Sequence, residues 1–189
     1  DFKIMIKIEE LEQSSLLTLT PTSHADARGC FSETFNEASF RLNTHLNVTF
    51  VQDNESISHK NVFRGFHFQI PPKAQAKLIR VVHGAILDFA VDLRMTSPNF
   101  GKIYSIELTA ENRKQFFIPE GFAHGFLALE DHTIVNYKCS QYYSPSSEKS
   151  LLFSDPNLKI HWPVHINELI ISEKDKAGQP LSDFSDIFI

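Results

Sequence analysis

Leu87-Asp-Phe89-Ala-Val91-Asp-Leu93 alternates large apolar with small or acidic side chains. Successive side chains of a strand point to opposite faces, so this spacing collects Leu87, Phe89, Val91 and Leu93 on one face and Asp88, Ala90 and Asp92 on the other. Working outward, similar short segments run from Leu16 to Leu19, Thr49 to Gln52, Phe63 to Gln69, Leu78 to Val82, Tyr104 to Leu108, Gln115 to Ile118, Gly125 to Leu129 and Thr133 to Tyr137. Turn signals separate many of them, including His83-Gly84, Ser97-Pro98, Ala110-Glu-Asn112 and Pro119-Glu-Gly121. Asn36 to Asn43 is the best short helix candidate, and the segment after Pro163 has helix-compatible stretches. Many short strands with helix only near the ends predict an all-β fold, an antiparallel sandwich or jelly-roll barrel with short peripheral helices.

The 189 residues suit one domain spanning 1–189, with no repeat or Ser/Gly linker to divide it. Seventeen Phe, four Tyr and one Trp suggest an aromatic-packed β core. A net charge of −5 and a pI near 6.0 argue against a nucleic-acid or anionic-membrane surface. An anionic ligand therefore needs a local basic cluster. No apolar run reaches membrane-spanning length and no signal pattern opens the chain, which reads as cytosolic. Asp1 cannot be an initiator; Met5 offers a natural start, and residues 1–4 read as a remnant outside the fold argument. Cys30 and Cys139 lie far apart without CxxC spacing and read as reduced, buried thiols.

Nine histidines invite a metal reading. Arg64-Gly-Phe-His67-Phe-Gln69, however, has one His where a metal-binding jelly roll would offer His-x-His and a nearby Glu, and Pro119-Glu-Gly121-Phe-Ala-His124 supplies only one more. Two imidazoles fall short of the usual three or four protein ligands, so no metal is expected. A lone His in an apolar strand, such as His67, is more often a hydrogen-bonded core residue than a catalyst. Arg64 and Lys77 change that balance, because a hairpin through Ile70-Pro-Pro72 would place both cations beside the imidazole.

These stretches, taken in order with Gln52-Asp-Asn54, Ala74-Gln-Ala-Lys77, Val91-Asp-Leu-Arg94, Tyr137-Lys138, Tyr142-Tyr-Ser-Pro145, Glu148 and Ser172-Glu-Lys-Asp175, resemble the dTDP-4-dehydrorhamnose 3,5-epimerase family from about Leu16 to Asp175. The resemblance implies a cupin-like jelly roll, a homodimer, no cofactor, and a dTDP-linked 4-keto-6-deoxyhexose as substrate. It implies His67 as base, Tyr137 as acid, Lys77 as the cation near the developing O4 charge and Asp175 as the partner that orients His67. Asp183 and Asp186 are local competitors for that last role. It further implies Arg28 and Arg64 as phosphate-binding arginines and Tyr143 as the thymine-stacking residue. Glu33, Gln52, Asn54, His124, Glu148 and Lys174 are implied as further substrate contacts.

The chemistry agrees with that set. Removing the C3 or C5 proton of a 4-keto sugar gives an enolate shared with O4, so inversion needs a base, an acid on the opposite face and an oxyanion stabiliser. A C3-only epimerase on a related nucleotide 4-keto sugar would use the same groups. A non-catalytic cupin-like sugar-binding module would need no opposed acid and base, and a metal-dependent cupin oxygenase would need the missing His-x-His. Tyr142 and Tyr143 remain readable as core aromatics, and Gln52 and Asn54 as turn residues.

Overall fold

The computed structural model describes residues 6–188, so the expectation that Met5 is a natural start and that residues 1–4 are a remnant lies outside the described residues. The strands are β1 (Ile6–Leu11), β2 (Leu16–Pro21), β3 (Ser23–Asp26), β4 (Gly29–Ser32), β5 (Gln52–Ser58), β6 (Phe63–Gln69), β7 (Lys77–His83), β8 (Ala85–Asp92), β9 (Ile103–Thr109), β10 (Gln115–Ile118), β11 (Phe122–Ala128), β12 (Thr133–Cys139) and β13 (Glu148–Ser150). They form a six-stranded sheet in the order β1-β2-β10-β7-β12-β5, a five-stranded sheet in the order β13-β6-β11-β8-β9, and the separate hairpin β3-β4. All pairings between these strands are antiparallel, giving the cupin-like jelly roll.

Three apolar layers hold this arrangement. Leu16, Ile79, Val81, Ala90, Phe116, Phe126 and Val135 meet between the two sheets. Phe63, Phe66, Phe89, Val91 and Leu93 pack on the outside of the five-stranded sheet under Leu151, Leu158, Leu181 and Phe184. On the outside of the six-stranded sheet, Phe40 of α1 (Glu37–Thr44) covers Leu19, Leu78 and Phe117. The α1 boundaries follow from local chemistry: the Asn36 side chain accepts the Ser39 N–H at the start, Glu37 pairs with Arg41 one turn on, and His45 ends the helix in the left-handed region. None of the helices described is long and apolar enough to cross a membrane.

The alternation in β8 separates two buried faces rather than a buried and a wet one. Ala90 faces the barrel interior, and Asp88 and Asp92 on that same side are fully buried. They are tolerated there because each is paired, Asp88 with His124 and Asp92 with Arg94 and Ser97.

Other boundaries shift as well. The strand expected at Thr49–Gln52 begins at Gln52 and runs to Ser58, and β11 starts at Phe122 rather than Gly125. β3, β4 and β13 carry no clear alternation and are visible only as pairings, and β1, whose Ile6 and Ile8 do alternate with Lys7 and Glu9, is a further strand not among those expected. Past Pro163 the chain forms 3-10 turns and the four-residue α2 (Glu173–Lys176). Cys139 is buried, but Cys30 is exposed, because the β3-β4 hairpin leaves nearly all its residues in solvent.

Candidate active site

A cleft of about 530 Å³ opens into the barrel, and a second of about 270 Å³ adjoins it; His67, Lys77 and Tyr137 line both. β6 and β7 belong to different sheets, so Ile70-Pro-Pro72 is a crossover and not the expected hairpin. That crossover sets His67 and Lys77 face to face, with Lys77 Nζ donating to the His67 carbonyl at 3.3 Å. Tyr137 stands on β12, the register neighbour of β7, and therefore also faces His67 from the opposite sheet. Close approach of β6 to β11 requires glycine: a Cβ on Gly65, at φ +141°, would lie 2.5 Å from the Gly125 Cα.

His67 is about one-third exposed and its Nε2 lies 2.6 Å from Oδ1 of Asp175, which is almost fully buried. Asp175 Oδ2 accepts the Gly65 N–H, and Ser172 caps the turn that delivers it by accepting the Asp175 N–H. Burial by itself would raise the Asp175 pKa, but the hydrogen bonds from His67, Gly65 and Ser172 outweigh it and leave the carboxyl below its usual range. The tail does fold back, and it brings Asp175 rather than Asp183 or Asp186 to His67.

His124, the register partner of His67, is buried, and its Nε2 lies 2.6 Å from Asp88 Oδ1. Burial pulls its pKa down despite the attraction of Asp88. Burial likewise lowers the Lys77 ammonium and raises the Tyr137 phenol and the Cys139 thiol. Asp88 was not singled out in the sequence; its signal was an acidic residue on the minority face of an otherwise buried strand. Among the described residues, no three His, Cys, Asp or Glu side chains are grouped to hold a metal ion.

The adjoining cleft collects the other polar candidates. Gln52 Nε2 donates to Asn54 Oδ1, and Gln52 Oε1 accepts the Tyr143 N–H, so both residues are strand side chains facing the cleft and not turn formers. Tyr143 is 52% exposed and Tyr142 65%, which removes both from the core. Glu148 Oε2 accepts from the Tyr143 hydroxyl at 2.7 Å and pairs with Lys174 Nζ at 2.6 Å. Burial opposes ionisation of Glu148, but Lys174 and Tyr143 hold its pKa below the ordinary value. Arg64 lines the larger cleft, anchored by Nε to Ser58 Oγ and by Nη2 to the Ile57 carbonyl.

Arg28 and Glu33 stand apart. Neither lines either cleft of this chain, and Arg28, 90% exposed, turns back onto Asp26 of its own hairpin at 2.6 Å.

Known proteins resemble this chain over nearly its whole length. The family profile described as dTDP-4-dehydrorhamnose 3,5-epimerase matches residues 10–183. A curated relative of that name from Methanothermobacter thermautotrophicus is 51% identical over 168 residues, 88% of this chain and 90% of the relative. The crystal structure of dTDP-4-dehydrorhamnose 3,5-epimerase from Elizabethkingia anophelis superposes with a TM-score of 0.90 at 42% identity, covering 95% of this chain and 98% of that one. A Legionella pneumophila dTDP-6-deoxy-D-glucose-3,5-epimerase in complex with dTDP-4-keto-L-rhamnose gives 0.89 at 40% identity, covering 94% and 93%. A facing His and Tyr, a buried Lys and a profile match spanning nearly the whole barrel lead to one assignment: the chain belongs to the dTDP-4-dehydrorhamnose 3,5-epimerase family.

Proposed function

We propose that the enzyme inverts C3 and C5 of dTDP-4-dehydro-6-deoxy-D-glucose, giving dTDP-4-dehydro-L-rhamnose, with His67 as base, Tyr137 as acid and Lys77 as enolate stabiliser. The observation that carries this reading is the opposition of an Asp175-bonded His67 and Tyr137 on facing sheets of one cleft. An ionised Asp175 only accepts, so His67 Nε2 carries the proton and Nδ1 keeps the lone pair that removes H3 or H5.

Both carbons flank C4, and both enolates put their charge on O4. Lys77, desolvated in the cleft, meets that charge where water cannot screen it. The raised pKa of Tyr137 keeps its phenol protonated until the carbanion takes the proton from the opposite face. One proton leaves carbon for His67 and one arrives from Tyr137; exchange with solvent resets both.

The nucleotide occupies the adjoining cleft in this reading. Tyr143 offers an exposed ring for thymine, with Gln52, Asn54 and Glu148 around it, and Arg64 and Lys174 supply positive charge toward the diphosphate. His124, kept neutral by burial, contacts the sugar. Arg28 and Glu33 reach substrate from a second copy: the exposed β3-β4 hairpin, with Arg28 in its turn and Phe31 at 70% exposure, pairs with neither main sheet. The active form is then a homodimer, and a dTDP-sugar substrate fits a cytosolic enzyme.

Proton NMR in deuterium oxide tests the reading. Incubation with dTDP-4-dehydro-6-deoxy-D-glucose yields dTDP-4-dehydro-L-rhamnose labelled at both C3 and C5. Label and inversion at C3 alone would contradict it and favour a C3-only epimerase.

A further inference from the structure

Gln69 lies two residues beyond His67 on β6 and is 3% exposed. Its amide is fully used. Oε1 accepts the Ser144 N–H at 2.6 Å, and Nε2 donates to the Lys73 carbonyl at 2.6 Å and to the Tyr142 carbonyl at 3.3 Å. Two of these three bonds grip the residues on either side of Tyr143. The third holds the crossover that leads into Lys77.

Gln69 is also the register partner of Glu148, which accepts the Tyr143 hydroxyl. The Tyr143 N–H itself goes to Gln52. The exposed ring thus stands on a segment whose backbone is held from below by the buried amide of Gln69 and the half-buried amide of Gln52. An exposed loop without such anchors would lose conformational entropy each time it ordered around a ligand.

We infer that Gln69 is a positioning residue that fixes the loop bearing Tyr143 to the strand bearing His67, pre-forming the nucleotide-binding surface in register with the base. The inference rests on the assignment of Tyr143 to nucleotide stacking. It assigns to Gln69 no contact with reacting atoms. Its signature is a loss of nucleotide affinity, with chemistry at saturation largely retained.

The experiment measures the dTDP dissociation constant by calorimetry, together with kcat and KM, for the full chain carrying Gln69→Met, Gln69→Glu, Tyr143→Ala or the pair Gln69→Met/Tyr143→Ala. Gln69→Met keeps the volume and removes all three bonds; the dissociation constant and KM should rise about tenfold, the order of one net hydrogen bond, with kcat changed less than about threefold. Gln69→Glu keeps the Ser144 acceptor but turns a carboxylate oxygen toward the Lys73 and Tyr142 carbonyls, so its rise should be at least as large as that of the Met variant, and it carries the test if the Met variant does not fold.

In the double variant the two effects should not add, because Gln69 acts through the ring that Tyr143→Ala removes. A merely structural Gln69 would lower the fraction of active protein and leave KM and the dissociation constant per site unchanged, which would overturn the inference. Full additivity would overturn it too. An unchanged dissociation constant in Tyr143→Ala would instead refute the stacking assignment beneath it, a result separable from failure at Gln69.

Discussion

Asp175→Asn keeps the shape of the side chain and removes its charge, so it isolates what the buried carboxylate does for His67. Two effects follow. A charge-assisted hydrogen bond is lost at a 2.6 Å contact, which by itself corresponds to about 1.5–3 kcal/mol, or about 10- to 150-fold in rate when expressed in the transition state. In addition, the Asn amide can turn its NH₂ toward Nε2, favouring the tautomer with the proton on Nδ1, which leaves no lone pair where the base needs one. Together these lower kcat by about 100- to 1,000-fold, while dTDP affinity stays within about twofold because Asp175 does not line the nucleotide end. Proton NMR of product formation at saturating substrate, with calorimetry for dTDP, reads both quantities. A kcat within about fivefold of wild type would refute the claim that Asp175 sets the tautomer and holds the imidazolium. A pH arm gives the sign independently. The folded-state pKa of Asp175 lies below its ordinary 3.8, so its ionised form contributes stability that is present above that pH and lost as pH falls through the folded value. Urea midpoints should therefore fall less steeply on acidification in Asp175→Asn than in wild type.

Tyr137→Phe should wash deuterium into C3 faster than it forms inverted product, since His67 still deprotonates and returns a solvent-exchanged proton to the original face; inversion at both carbons at the wild-type rate would reassign the acid. Tyr143→Ala should weaken dTDP binding by about 1–3 kcal/mol with a smaller effect on kcat, measured by calorimetry. Exhaustive chelation should leave turnover intact, because Lys77 supplies the charge that a Lewis acid otherwise would; loss restored by one divalent metal would reverse that assignment. Equal mixing of inactive Arg28→Ala and His67→Asn chains, after subunit exchange, should recover up to about a quarter of wild-type activity, since each mixed dimer has one complete site; no recovery would place Arg28 outside the partner's cleft.

The parts of the fold that were legible in the sequence are those where one chemical signal dominates. Phe63–Gln69 and Gln115–Ile118 match β6 and β10 to the residue, because turns or strong apolar character bound them on both sides. The helix expected over Asn36 to Asn43 was legible from Ala38, Phe40 and Leu42 among polar residues, while the cap made by Asn36 is seen only in the fold. β3, β4 and β13 were not, because strands of three or four exposed or half-buried residues have no apolar face to alternate. The β8 pattern was read correctly as a strand, yet alternation cannot distinguish solvent from a barrel interior that holds paired aspartates. In the site, His67, Lys77 and Tyr137 were identifiable from motifs, while their facing arrangement depends on a sheet crossover that spacing does not encode. Asp175 was the extreme case: 108 residues separate it from His67, and only the folded tail brings the two together. Gln69 and Asp88 stand in stretches legible as strands but without a legible role, because a buried amide or carboxylate announces itself through partners, and partners are a property of the fold.

The single-base assignment is tested most directly by deuterium uptake at C3 and C5 of dTDP-4-dehydro-6-deoxy-D-glucose in the presence of His67→Asn, compared with wild type in the same buffer. Uptake at both carbons should vanish together while dTDP still binds. Exchange persisting at either carbon at the wild-type rate would mean that a second base serves that position, and His67 would not be the common base for both inversions.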